Sequence, residues 1–294
     1  MTDQHILWRL WNRLPVLVRA VLSGGLVFLI LQSGWSLLIV TNMKVAPSIP
    51  WSVPLALLYL WVAFQYFNGR WKPASTSKAR QESMRARRLS RHEWPTALAA
   101  TAAVIVFIIS TTIISYRMIR IPAEDMGLPE TSGAMLYAVL LMVSIVAGVS
   151  EEAGFRGYMQ TALEKRYGAV FAVGVSAVMF WLAHLNHANG VPRVVSLCIM
   201  GASLGIITVC ARSILPAMLA HATADSIIFV GSAAGIGPDY LWNPVPLQET
   251  GLDGFFWVTI GAVVVSGAGG YALLRRLARL TRPATVQLTR LTAF

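Results

Sequence analysis

Six ionisable residues occur inside apolar stretches in the second half of this 294-residue sequence. A charged group near the middle of a bilayer costs about 2.5–3.5 kcal/mol even on lenient insertion scales, so groups of this kind are functional candidates. Carboxylates and imidazoles that share a water-accessible cavity can activate water and stabilise an oxyanion. The residue types therefore predict a hydrolytic site. The six residues are Glu151, Glu152, Arg156, His184, His221 and Asp225.

Helical spacing predicts different roles for neighbouring residues. Glu152 and Arg156 are four positions apart with the acid first, which favours an ion pair with a structural or orienting role. Glu151 points about 100° away around the same helix and has no obvious local partner, which suits a general base. His221 and Asp225 are also four apart and therefore share one face of a helix.

Distances from the predicted turns indicate that these groups can meet. Glu151 precedes a turn near 167–168 by about as many residues as His184 follows it, so both lie ~25 Å from that turn at 1.5 Å per residue. His221 lies ~12 Å beyond the turn at 212–213 and reaches the same depth if the first hairpin projects further from the bilayer. We therefore expect these side chains at one level in the membrane.

Two hydrolytic routes fit this set of residues. In one, His184, His221 and a carboxylate from Glu151 or Asp225 bind a divalent metal such as Zn²⁺, which activates water. In the other there is no cofactor: Glu151 with His184 deprotonates water, and His221 with Asp225 stabilises the oxyanion. The residues alone leave both routes open. Phe180, one helical turn before His184, is expected to hold the imidazole ring.

The composition requires a membrane for these residues to lie in. Hydrophobic residues make up 56% of the chain, charged residues only 13%, and the mean hydropathy is +0.61, so the chain lacks the polar surface of a soluble domain. We predict an all-α, polytopic integral membrane protein, in the inner membrane if the source is bacterial. The sequence predicts eight spans, at 15–40, 51–67, 95–116, 133–150, 168–187, 194–210, 214–231 and 255–274.

The net charge of +11 orients this single transmembrane domain, 1–294. Alternate loops carry +15 on one side and −2 on the other, and −2 remains in the spans, so both termini are predicted to be cytoplasmic. Because the basic residues follow loop parity, nucleic-acid binding is not expected. The basic loop 68–94 is interpreted as a topology determinant on anionic lipid, with a partner site as the alternative. A basic tail, 275–294, lies on the same side, and Cys198 and Cys210 are interpreted as packing residues.

Three short motifs resemble one protease family. E-E-x-x-x-R at 151–156, F-x-x-x-H at 180–184 and H-x-x-x-D at 221–225 are similar, in the same order, to the motifs of the CPBP intramembrane proteases. That family includes the CAAX prenyl endopeptidases and the bacteriocin-processing (Abi) enzymes. The resemblance covers about 133–231, which we interpret as the catalytic core.

The resemblance implies a role for each matched position. Glu151 would activate water, and His184 would assist it or bind a metal. His221 and Asp225 would stabilise the oxyanion or complete a metal site, with Glu152 and Arg156 orienting them. The family more commonly has Asn where this chain has Asp225. An ionised Asp cannot donate to an oxyanion, so this departure favours the metal route.

The resemblance and the residues lead to one function with two alternatives. We expect an intramembrane endopeptidase that cleaves a membrane-associated peptide or a prenylated, CAAX-type protein, with membrane lipids as its surroundings. A non-catalytic immunity or chaperone-like factor of the same fold is the first alternative. A transporter is the second, although it predicts ionisable groups staggered through the membrane rather than gathered at one depth.

Overall fold

The computed structural model describes residues 9–119, 133–185, 190–236 and 245–282, which contain helices and no strand. The predicted all-α class is confirmed. The predicted span end at His187 and most of the tail 275–294 lie outside these residues. The helices are α1 Val16–Val45, α2 Ser52–Phe67, α3 Ala74–Met84, α4 Trp94–Met118, α5 Ala134–Glu151, π1 Glu152–Gln160 (a π-helix), α6 Thr161–Tyr167, α7 Ala169–Ala183, α8 Val191–Ala211, α9 Leu215–Ala234, α10 Leu247–Thr250 and α11 Gly254–Leu280.

The predicted number of eight spans is wrong. Within the described ranges, six helical segments are long and apolar enough to cross a membrane: α1, α4, the continuous α5–π1–α6 rod, α8, α9 and α11. Helices α2 and α7 have 16 and 15 residues, which is short of the ~20 that a bilayer core requires. Each predicted apolar run does form a helix, but α2 and α7 end where their runs meet polar residues or turns.

Hydrogen bonds hold residues 68–93 against the turn that joins α6 to α7 and the turn that joins α8 to α9. Arg85 donates to Glu164 of α6 at 2.8 Å, beside the α6–α7 turn. The backbone N–H of Ile214, at the α8–α9 turn, donates to the Arg85 carbonyl at 3.1 Å. The basic segment and both turns therefore lie at the same end of the bundle.

The two terminal spans reach this end as well. Near the start of α1, Ala20 packs in one buried cluster with Leu163 of α6. Just after α11, the Thr281 hydroxyl donates to the carbonyl of Cys210 at 2.7 Å. Five parts of the chain that contain Lys or Arg thus lie at one end, which we call the basic end: the start of α1, residues 68–93, the α6–α7 turn, the α8–α9 turn and the end of α11.

The segment 68–93 is partly folded into the protein core. Met84 is fully buried against α2 and π1. Arg80 donates to the carbonyl groups of Tyr66, Trp71 and Pro73, and its guanidinium lies over the Tyr66 ring. Part of this segment's positive charge therefore serves the fold itself.

The π1 segment lies where two apolar clusters meet. One cluster joins α1, α2, α5 and the start of α9, and the other joins α1, α6, α7 and α8. Gly154 of π1 crosses Gly24 of α1 so closely that a Cβ on Gly154 would lie 2.7 Å from the Gly24 carbonyl oxygen. This crossing needs two glycines, and it fixes π1 at the centre of the helix bundle.

Candidate active site

The π1 helix contains a buried ion pair. Arg156 donates from Nη1 to Glu152 Oε1 at 2.8 Å, and both side chains are fully buried. The second guanidinium nitrogen, Nη2, donates to the Gly201 carbonyl of α8 at 2.9 Å. The guanidinium carbon of Arg156 lies 4.7 Å from the centroid of the Phe180 ring. The α8 carbonyl thus gives the buried pair a further partner, while Arg156 Nε and Glu152 Oε2 have none in the described part of the chain.

Glu152 also holds the imidazole of α9. Its Oε1 lies 2.8 Å from His221 Nδ1. Because this oxygen already accepts from Arg156, we assign Nδ1 as the proton donor to it. His221 Nε2 is then left facing Asp225, whose Oδ2 is 3.4 Å away. The predicted Glu152–Arg156 ion pair is present, and Glu152 Oε1 contacts His221 as well.

The α5 and α9 helices approach closely enough to make that bond. A Cβ on Gly148 of α5 would lie 2.7 Å from the Cβ of Ala222 on α9. Ala222 follows His221 directly, so the crossing point lies beside the site. The glycine thereby sets the distance between the helix that ends at Glu151 and the helix that carries His221.

Glu151 and His184 form the second half of the site. Glu151 Oε2 lies 3.7 Å from His184 Nε2, so the two side chains meet at one depth, as the distances from the turns predicted. Nδ1 of His184 lies 2.8 Å from the Phe180 carbonyl oxygen, which requires a proton on Nδ1 and leaves Nε2 toward the carboxylate. Glu151 Oε2 is buried and has no hydrogen-bond partner in the described part of the chain.

Phe180 links the two halves. Its ring centroid lies 4.6 Å from that of His184 and 5.7 Å from that of His221, and the side chain is fully buried. It therefore fixes both imidazoles, whereas the sequence predicted a contact with His184 alone.

One polar neighbour was missed by the sequence reasoning. Ser150, next to Glu151, donates to Gln32 Oε1 of α1 at 3.1 Å. A lone amide in an apolar span was the available signal, because such a group needs a partner within the membrane.

The side chains do not fit a metal centre. Across residues 9–119, 133–185, 190–236 and 245–282, no three His, Cys, Asp or Glu side chains are placed to hold an ion. The Nε2 atoms of the two histidines each face a different carboxylate, that of His184 facing Glu151 and that of His221 facing Asp225. Asp225, which favoured a metal in the sequence argument, is placed instead as a partner of His221.

The match to a known family falls on this site. Residues 133–227 match the sequence model of the family described as type II CAAX prenyl endopeptidase Rce1-like. No curated protein and no solved structure shows significant similarity to the chain. The matched segment runs from the start of α5 into α9 and contains all six ionisable residues singled out in the sequence. The similarity to that family therefore lies in the segment of the chain that carries the candidate site.

Proposed function

We propose that this protein is an intramembrane endopeptidase that hydrolyses a peptide bond with water activated by Glu151. One observation carries the proposal. A buried carboxylate oxygen without a hydrogen-bond partner faces an imidazole nitrogen 3.7 Å away, beside a second imidazole–carboxylate pair. A carboxylate that is buried and available in this way is suited to accept a proton from water.

The first step is the attack of water. A water molecule bound between Glu151 Oε2 and His184 Nε2 gives one proton to the carboxylate, while its oxygen attacks the carbonyl carbon of the substrate. The hydrogen bond to the Phe180 carbonyl keeps the proton of His184 on Nδ1, so Nε2 can accept a hydrogen bond from that water. The two groups thereby orient the nucleophile and take its proton.

The second pair stabilises the charge that develops on the carbonyl oxygen. A proton shared between His221 Nε2 and Asp225 Oδ2, which are 3.4 Å apart, supplies the donor. Glu152 fixes the orientation of His221 through Nδ1 and therefore acts as a positioning residue. When the tetrahedral intermediate collapses, the C–N bond breaks and the proton on Glu151 passes to the leaving nitrogen.

The substrate class follows from the family and from the position of the site. The matched family is described as a type II CAAX prenyl endopeptidase. The candidate site lies between helices long enough to span a membrane, which favours a membrane-associated peptide or a prenylated CAAX-type protein.

Cleavage of a farnesylated CAAX peptide by the protein in vesicles tests this function. The peptide carries a quenched fluorophore that is released when the bond after the prenylated cysteine is hydrolysed. We expect Glu151→Gln to lower kcat about a hundredfold to ten-thousandfold, because the general base is removed. Glu249→Gln, which changes an exposed carboxylate in α10, should stay within about twofold of wild type.

Two results would contradict the proposal. Equal rates for wild type and Glu151→Gln would show that another group is the base. Failure of the wild type to cleave either the farnesylated peptide or its unprenylated form would favour the non-catalytic alternative.

A further inference from the structure

A cavity of about 560 Å³ opens at the basic end, within residues 68–88. Its lining contains five cationic side chains and one carboxylate, that of Glu82. The cavity is separate from the catalytic cluster, and neither the peptidase chemistry nor the family match uses it. The five cations are Arg70, Lys78, Arg85, Arg87 and Arg88.

Two of the five cations are already neutralised. Arg85 donates to both carboxylate oxygens of Glu164 at 2.8 Å. Arg87 pairs with Glu93 through both of its terminal nitrogens, with Nη1 donating to Oε2 at 3.0 Å and Nη2 donating to Oε1 at 3.1 Å. Burial on its own would raise the pKa of Glu93, but the hydrogen bonds from Arg87 and Ser90 outweigh it and hold that pKa below its usual value. These two arginines therefore form part of the cavity wall and contribute no uncompensated positive charge.

The other three cations have no acidic partner in the part of the chain that the structure describes. Arg70 donates only to the neutral Gln65 side chain, at 2.9 Å, while Lys78 and Arg88 are exposed and form no ion pair there. The carboxylate of Glu82 is 3.3 Å from Lys165. The cavity thus keeps three uncompensated positive charges, enough to attract an anion with more than one acceptor oxygen.

The walls of the cavity are held in place before any ligand arrives. Arg80 ties α3 to the carbonyl groups of Tyr66 and Trp71, and the Arg85–Glu164 pair ties the segment to α6. A preorganised site loses less entropy on binding than a flexible surface loop. The backbone that carries the cavity residues is therefore in place before a ligand binds.

Aromatic side chains beside the cavity indicate the depth at which it lies. The rings of Trp61 and Trp71 meet edge to face at 5.7 Å, and both are about half exposed, as is Tyr66. Exposed Trp and Tyr side chains concentrate at the level of lipid headgroups. We propose that this cavity binds a phosphate group, that of an anionic phospholipid headgroup.

Binding of a short-chain lipid to the whole protein in detergent tests the site. Dioctanoyl phosphatidylglycerol is compared with dioctanoylglycerol, which has the same chains but no phosphate, and with inorganic phosphate. We expect binding of the phosphatidylglycerol but not of the dioctanoylglycerol. Replacing Arg70, Lys78 and Arg88 together with Gln should weaken that binding about a hundredfold, at about fivefold per cation.

A matched triple variant separates the cavity from general surface charge. Arg275, Arg276 and Arg279 are exposed near the end of α11, also at the basic end, but do not line the cavity. Changing all three to Gln should leave the lipid affinity within about twofold of wild type. The single variant Lys78→Gln, on the exposed face of α3, gives a smaller loss if the cavity triple does not fold.

The outcomes are distinct. Weaker binding of phosphatidylglycerol in the cavity variants, with unchanged binding in the α11 triple variant, supports the site. Inorganic phosphate binding as tightly as the lipid, and lost in the same variants, keeps the anion site and makes free phosphate its occupant. Equal losses in both triple variants, unchanged affinity in the cavity variants, or no binding of phosphatidylglycerol by wild type would overturn the proposal.

Discussion

Two adjacent carboxylates in the site have opposite surroundings. Glu152 accepts from Arg156 and His221, each at 2.8 Å, and is fully buried. Oε2 of each carboxylate is buried without a hydrogen-bond partner in the described part of the chain, but Glu151 Oε2 faces His184 Nε2 at 3.7 Å. One backbone position thus separates a residue that stabilises the structure from a residue that is free to react.

This contrast predicts different effects on stability. Glu152→Gln removes the charge that neutralises the fully buried Arg156, so we expect unfolding to become easier by about 3–5 kcal/mol. Glu151→Gln should leave the free energy of unfolding within about 1 kcal/mol of wild type, because no hydrogen bond is lost at Oε2. Denaturant unfolding in detergent measures both. Equal destabilisation by the two variants would contradict the assignment of different roles.

The sequence predicts the contacts of the site that depend on local helical spacing. The i,i+4 rule predicts the Glu152–Arg156 pair, and the rise per residue brings Glu151 and His184 to one depth. The Glu152–His221 bond joins residues 69 positions apart, on helices whose rotation the sequence does not specify. It could not be predicted without knowing how α5 and π1 pack against α9.

At the scale of elements, the site depends on how closely two helices cross. Gly148 faces both the side chain and the backbone of α9, since a Cβ there would lie 2.7 Å from Ala222 Cβ and 3.0 Å from the Met218 carbonyl oxygen. A backbone atom cannot move aside as a flexible side chain can. Any side chain at position 148 must therefore push α5 away from α9.

Gly148→Ala is expected to separate the two halves of the site. We predict a destabilisation of about 1–3 kcal/mol from overpacking, together with a loss of peptidase activity of at least tenfold. Gly174→Ala is the matched control, because Gly174 lies in α7 and a Cβ there meets nothing within 4 Å. Activity and thermal unfolding are measured for both variants. A Gly148→Ala protein as active as the Gly174→Ala protein would show that this crossing does not set the site geometry.

Element-level prediction succeeded for helix type and failed for local detail. The apolar runs predict α5, α7 and α9 of the site, because long apolar segments in a membrane must satisfy their backbone groups internally. The π-helix at Glu152–Gln160 was not predicted. A π-helix shares the composition of an α-helix and arises from packing, here where π1 lies between α1 and α7.

At the scale of the whole molecule, the two ends of the bundle differ in charge. Five basic segments meet at the basic end, whereas the opposite end contains an acidic residue bound to the fold. There Arg117, which is 2% exposed, donates to both carboxylate oxygens of Asp253 at 2.7 Å. Asp253 also caps α11 by accepting from the Phe256 N–H at 2.8 Å.

The Asp253 contacts predict a dependence of stability on acid. The hydrogen bond from Arg117 and that from Phe256 lower the pKa of Asp253 from 3.8 to about 2. A lowered pKa gives stability that is fully present above the unfolded value and is lost as pH falls through the folded value. We therefore expect the difference in melting temperature between wild type and Asp253→Asn to stay constant above about pH 5 and shrink between about pH 4 and pH 2. A difference that widens toward low pH would contradict this linkage.

The charge difference between the ends also predicts the orientation of the protein. Lys and Arg are retained on the cytoplasmic side of a membrane, so the basic end should face the cytoplasm. Single cysteines introduced at Lys78 and Arg212 mark the basic end, and cysteines at Ile49 and Leu252 mark exposed positions at the opposite end. Cys198 and Cys210 are first replaced by Ser so that no other thiol reacts.

A membrane-impermeant maleimide applied to intact cells distinguishes the two orientations. We expect labelling at positions 49 and 252 without treatment, and at positions 78 and 212 only after permeabilisation, because a charged reagent does not cross the bilayer. The structure places 78 and 212 at the same end of the bundle although they are far apart in sequence, so the two positions must behave alike in either orientation. Labelling at 78 and 212 in intact cells would reverse the orientation, and different results at those two positions would contradict the shared basic end itself.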